Sequence, residues 1–244
     1  NISLPNERSR LYMAIAQVDE QTFAIDSALR KHGRIGDRAL YNGKHYSDKA
    51  PGTGFLGAAV YGVSRIFTDA KDWNVASLLR LMRRGICIPF ALLGFVWIRR
   101  LLALMSRSRL AIEWVSWSWI LGSAAFHYGG AFFGHQIAAA LLIGALYYAQ
   151  RSIDSGRRAS LVTSGLLAGF AVITEYPAAL GVIAIGIYLC LNIRTVKANL
   201  GYWVLGGLPM VVLLGYYHYK CFGDPLSLPY QHLAAATYRK IHSS

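Results

Sequence analysis

Lys49 stands two residues before the Pro51-Gly52 break, in the string Tyr46-Ser47-Asp48-Lys49-Ala50-Pro51-Gly52. An ammonium held there, at headgroup depth beside a helix, can grip a lipid phosphate as a compact point charge. A carboxylate close by can take the proton of a hydroxyl acceptor as a general base. Glu7 and Asp26 lie in the same polar stretch and are the candidates for that role, with the amide of Asn6 next to Glu7. A second set of polar groups, His127, Tyr128, His135, Glu175 and Tyr176, falls at or near the ends of apolar runs. Ionisable groups at membrane depth are costly and mark function by default. A hydrogen-bonded structural histidine is an equal reading of His135, and a helix end before Pro177 an equal reading of Glu175. The three cysteines, Cys87, Cys190 and Cys221, show no metal-ligand or disulfide spacing, so no metal is expected.

These groups need elements to hold them. Of the 244 residues, 55% are hydrophobic and only 15% charged, and the mean hydropathy is +0.35. A soluble domain of this length carries more charge; membrane spans account for the excess. Apolar runs at 85–105, 110–126, 131–149, 160–174, 177–193 and 200–219 predict an all-α polytopic bundle of about six spans. Residues 1–84 form an external loop subdomain, 85–219 the bundle and 220–244 an external tail. The chain begins at Asn1 with no signal-like region, and is read as a segment of a longer chain or a processed form.

Within the subdomain, Pro5-Asn6-Glu7 reads as a helix start, with a helix from Glu7 to about Val18. Gly33, Gly36 and Asn42-Gly43 read as turns. Leu56, Val60, Val63 and Phe67 repeat at helical spacing in a run of about fifteen residues, too short to span and suited to lie in the interface plane. Gly165 and Gly169 have the spacing of a close helix contact, either ordinary packing or a dimer seam.

The net charge of +13 does not gather in one patch, which argues against nucleic acid. The basic residues mark alternate turns: Arg99, Arg100, Arg107 and Arg109, then Arg151, Arg157 and Arg158, then Arg194 and Lys197. The positive-inside rule places these turns in the cytoplasm and residues 1–84 outside. Arg80, Arg83 and Arg84 run against the rule.

Taken with the motifs, the chain resembles the GT-C glycosyltransferases that use polyprenyl-phosphate sugars, the protein O-mannosyltransferase and aminoarabinose-transferase group and its unassigned bacterial relatives. Asn6-Glu7 before Arg8–Tyr12 is similar to that group's Asp-Glu pair at the head of a juxtamembrane helix. Tyr46–Pro51 is similar to its Tyr-x-x-Lys-Pro-Pro string, and 54–68 to its second juxtamembrane helix. Phe133-Gly134-His135, Thr174-Glu175-Tyr176-Pro177 and Cys221–Pro225 look like strings of the bacterial relatives. The resemblance implies transfer of a sugar from a polyprenyl-phosphate donor to a periplasmic acceptor at the bacterial inner membrane, with no metal cofactor. Lys49 would bind the donor phosphate, Glu7 or Asp26 would do the catalysis, and Asn6, His135, Glu175 and Tyr176 would support. Asn6 stands where the catalytic Asp is usual and cannot act as a base. The alternative is therefore an inactive accessory subunit of a larger membrane complex, in contact with lipids and other membrane chains.

Overall fold

The computed structural model describes residues 4–69, 72–192 and 200–234. The third basic turn, Arg194 and Lys197, lies outside the described residues, as does the tail beyond 234. The fold is all-α apart from one small hairpin. It divides into two compact units. Unit 1 comprises Asn1–Ile86, Ala131–Phe133 and Leu213–Ser244; unit 2 comprises Cys87–Gly130 and Gly134–Val212. The first boundary falls two residues beyond the 84/85 expected from sequence, and the C-terminal stretch belongs with the N-terminal unit instead of standing alone.

Unit 1 is built on α1 (Pro5–Asp19), which opens with Pro at its first position and Glu7 in its first turn. Leu11 to Ala16 are all buried, so this helix is enclosed on every side. α2 (Asp26–His32) follows, then strands β1 (Ala39–Tyr41) and β2 (Lys44–Tyr46), paired antiparallel with Ala39 opposite Tyr46. Asn42 and Gly43 have φ of 47° and 76°, the left-handed pair that a two-residue hairpin turn requires. α3 (Gly52–Phe67) packs along α1 in the same direction. The absence of side chains at Gly54 and Gly57 permits this approach, since a Cβ there would fall 2.6 Å from Met13 Sδ and 3.0 Å from the Ala14 Cβ. At the far end Asp19 accepts from Tyr61 Oη at 3.0 Å and pairs with Arg65 at 2.8 Å. The outer side of α3 leaves Ile66 76% and Phe67 78% exposed.

α4 (Val75–Met82) is capped by Asn74, whose side chain accepts from the Ser77 N–H at 2.9 Å. It continues through a π turn, Arg83–Cys87, into α5 (Ile88–Met105). Unit 2 adds α6 (Arg109–Gly122), α7 (Ala124–Gly129), α8 (Gly134–Ser155), α9 (Arg158–Thr174) and α10 (Ala178–Leu191). α8 is its centre and packs on α5 and α9. Ala145, Ala149, Leu161, Ala168, Ile185 and Leu189 form the core. The last helix, α11 (Leu200–Phe222), contributes residues to both units.

Six spans were expected. Two described stretches are long and apolar enough to cross a bilayer, Val75–Met105 with 31 residues and Leu200–Phe222 with 23; Arg158–Thr174 and Ala178–Leu191 are apolar but shorter. Only 11% of the most apolar part of α11 is buried, with Val204, Leu205, Val211 and Val212 each more than half exposed. A core helix of a soluble protein buries such residues.

The Gly165 spacing serves packing inside the chain. A Cβ on Gly165 would fall 1.9 Å from the Trp203 carbonyl oxygen, and one on Gly206 2.1 Å from that of Val162, so α9 and α11 touch backbone to backbone. Gly165→Ala should therefore cost about 1–3 kcal/mol by overpacking. Gly201→Ala, with nothing within 4 Å, should leave the thermal unfolding of the detergent-solubilised chain unchanged.

Candidate functional site

The polar groups of unit 1 form three connected sets. The first is centred on Glu7. Its side chain is 1% exposed, and both oxygens are engaged. Arg83 donates from Nε and Nη2 to Oε1 at 3.0 and 2.8 Å and from Nη2 to Oε2 at 2.7 Å; the Phe132 N–H adds a bond to Oε1 at 2.8 Å. Four charge-assisted bonds offset the cost of burying the carboxylate. Glu7 was a catalytic candidate, but in this arrangement it joins α1, the end of α4 and the 131–133 segment and offers no free oxygen for a substrate proton. Asn6, beside it, is held through its Oδ1 by Arg10 Nη1.

The second set surrounds Lys49. Ser9, on α1, shares a 2.9 Å hydrogen bond with the hydroxyl of Ser47 and donates to Asp48 Oδ1 at 3.3 Å. Ser9 and Ser47 are fully buried, and Asp48 nearly so. The two strings that carry the resemblance, thirty-eight residues apart, thus meet in one buried network. Lys49 Nζ is 3.1 Å from Asp48 Oδ2 and 3.1 Å from Asp37 Oδ2. The lysine was expected as a lone charge at headgroup depth; it is bracketed by two carboxylates. Desolvation pulls its pKa down, and the attraction of Asp48 and Asp37 outweighs that and leaves it raised. Burial pushes the Asp48 carboxyl up, against the lowering field of Lys49. Asp37 is the more open carboxylate, its side chain 21% exposed against 7% for Asp48. Thr53, in the first turn of α3, is fully buried, and its hydroxyl has no partner among the described residues.

Asp26 heads the third set. His45 Nδ1 lies 2.7 Å from its Oδ1, and the His45 backbone N–H donates to its Oδ2 at 3.0 Å. Both side chains are about 30% exposed. They line a cavity of about 290 Å³ with Leu29, Arg30, Arg34 and Arg38. This second catalytic candidate is therefore tied to the hairpin.

In unit 2, His135 Nδ1 lies 3.5 Å from Glu175 Oε1, with the histidine 49% and the glutamate 15% exposed. The Tyr128 ring meets His135 edge-on at 4.9 Å. Gly134 makes room for the pair, since a Cβ there would fall 2.3 Å from Glu175 Oε1. Tyr176 sits in the turn between α9 and α10, its carbonyl accepting from Ala179. The supporting residues named from sequence thus group as a pair, His135 with Glu175, and a neighbouring turn.

Sequence reasoning missed Ser9, Asp37, His45 and Arg83. Arg83 alone left a signal, as a positive charge on the side the charge rule assigns to few. No protein-family model, curated protein or solved structure matches the chain.

A carboxyl whose folded pKa is raised binds more protons folded than unfolded between its two values. Stability should therefore fall as pH rises from about 4 through the raised Asp48 value. Asp48→Asn should flatten that slope in thermal unfolding followed from about pH 4 to 7.

Proposed function

We propose that this chain is a glycosyltransferase-like protein of the bacterial inner membrane that moves a sugar from a polyprenyl-phosphate donor to a hydroxyl acceptor on the periplasmic side. In this reading residues 85–219 cross the membrane as about six spans, unit 1 is periplasmic, and α3 rests on the headgroups. The observation that carries it is the joining of Tyr46–Pro51 to α1 through Ser9, Ser47 and Asp48, which fixes Lys49 at the start of α3. The exposed apolar side chains of α3 and α11 lend support for a lipid neighbour.

The donor phosphate takes the place of Asp37, the more open of the two carboxylates on Lys49, while buried Asp48 keeps the lysine charged and oriented. The acceptor oxygen attacks the anomeric carbon. The bond from that carbon to the phosphate oxygen breaks with its electron pair going to the phosphate, and the acceptor proton passes to the released Asp37 carboxylate. Inversion follows from a single displacement. Glu7, closed by Arg83, holds the frame.

A second reading has its own observation. Asn6 stands where an acid is usual in the group this chain resembles, and its side chain is bound to Arg10, which suits an accessory subunit without turnover. Binding of polyprenyl phosphate to the purified chain, read by native mass spectrometry, separates the two. Lys49→Ala should weaken it about tenfold or more, the worth of a charge-assisted contact, and Asp37→Asn should retain binding and lose transfer. Donor binding that is absent, or unchanged in Lys49→Ala, overturns the enzyme reading.

A further inference from the structure

We propose that the arginine-lined cavity of unit 1 is a binding site for a phosphate or diphosphate group. It shares no residue with the Lys49 cluster, and the inference stands whether or not that cluster binds a donor. The cavity, about 290 Å³, is lined by Asp26, Leu29, Arg30, Arg34, Arg38 and His45. Arg30 comes from the last turn of α2, Arg34 and Arg38 from the loop that follows, and His45 from β2.

Among the described residues none of the three arginines has an ion-pair partner. The one carboxylate in the wall, Asp26, is spent on His45, whose ring nitrogen and backbone N–H take one oxygen each. Arg38 is positioned by a bond from Nη1 to the Ile35 carbonyl, and its Nε is buried with no partner among the described residues. Three guanidiniums against the one Asp26 carboxylate leave the cavity wall with an excess of two positive charges (three minus one), which an entering anion offsets.

The chemistry of the donors selects the anion. Each guanidinium presents a planar fork of N–H groups that matches two oxygens of one group. A carboxylate has oxygens for one such fork; a phosphate or diphosphate serves several at once. The volume is at the small end for ligand sites, which fits a phosphoryl head with little else enclosed. Asp26 then acts as a positioning residue that fixes His45 at the edge of the cavity, where the imidazole adds a further polar contact. The phosphoryl group comes from a free phosphate compound or from a lipid headgroup.

Calorimetric titration of inorganic pyrophosphate into the full chain in detergent tests the site. Arg30 and Arg34 are exposed, so Arg30→Gln/Arg34→Gln removes two charges without touching the core. That variant should bind pyrophosphate about tenfold more weakly or worse. Arg80→Gln, at an exposed residue of α4 that does not line the cavity, should change affinity less than about twofold, because an exposed surface charge is screened. Vesicles of phosphatidylcholine with and without phosphatidylglycerol form the second arm. Pyrophosphate binding lost while vesicle binding is kept assigns a free phosphate compound; loss of both assigns a lipid headgroup. Absence of saturable pyrophosphate binding, or equal binding by the parent chain and the double arginine variant, overturns the proposal.

Discussion

The buried Glu7 carboxylate is the constraint around which unit 1 is arranged. An ion at 1% exposure costs several kcal/mol in lost hydration unless every oxygen is matched. Here the matching donors come from sequence positions far apart, Arg83 and Phe132. Satisfying one carboxylate thereby fixes the start of α1, the π turn after α4 and the 131–133 segment together. The enclosed Leu11–Ala16 face of α1 then forms around that fixed end, and α3 lies along it where Gly54 and Gly57 let it approach.

The same logic governs Lys49. Its ammonium is half-enclosed, and two carboxylates hold it charged. Burial raises the pKa of Asp48 despite the lysine beside it, so the cluster is held under electrostatic tension. Asp37, on the more open side, is the member with room to move. The arginine cavity differs in sign: among the described residues its three guanidiniums face one carboxylate, Asp26, while the lysine faces two.

Local signals in the sequence were legible. Pro5 and Glu7 marked the start of α1, and Asn42-Gly43 marked the hairpin turn, because each acts through its own backbone. The apolar runs located α5, α9 and α10 to within a few residues, but the run 110–126 is broken at Ser123 into α6 and α7 and α8 continues six residues past 149 to Ser155; α9 and α10, with 17 and 14 residues, are shorter than spans are expected to be. Pairings through space were not legible. Asp37 with Lys49, and Asp26 with His45, join loops and three-residue strands, which have no periodicity to read. Arg83, which runs against the expected charge pattern, is paired with Glu7, so its position reports packing. The early start of the helix at Val75 follows from the Asn74 cap, a signal masked by the polar residues around it.

The most direct measurement is a double-mutant cycle on Glu7→Gln and Arg83→Gln, read as unfolding free energy of the full chain. With Arg83 itself 31% exposed, the pair should couple by about 2 kcal/mol or more, the costs of the two single changes summing to that much more than the cost of the double change. Additivity within about 0.5 kcal/mol would contradict the account, because the carboxylate would then not be what ties these segments together.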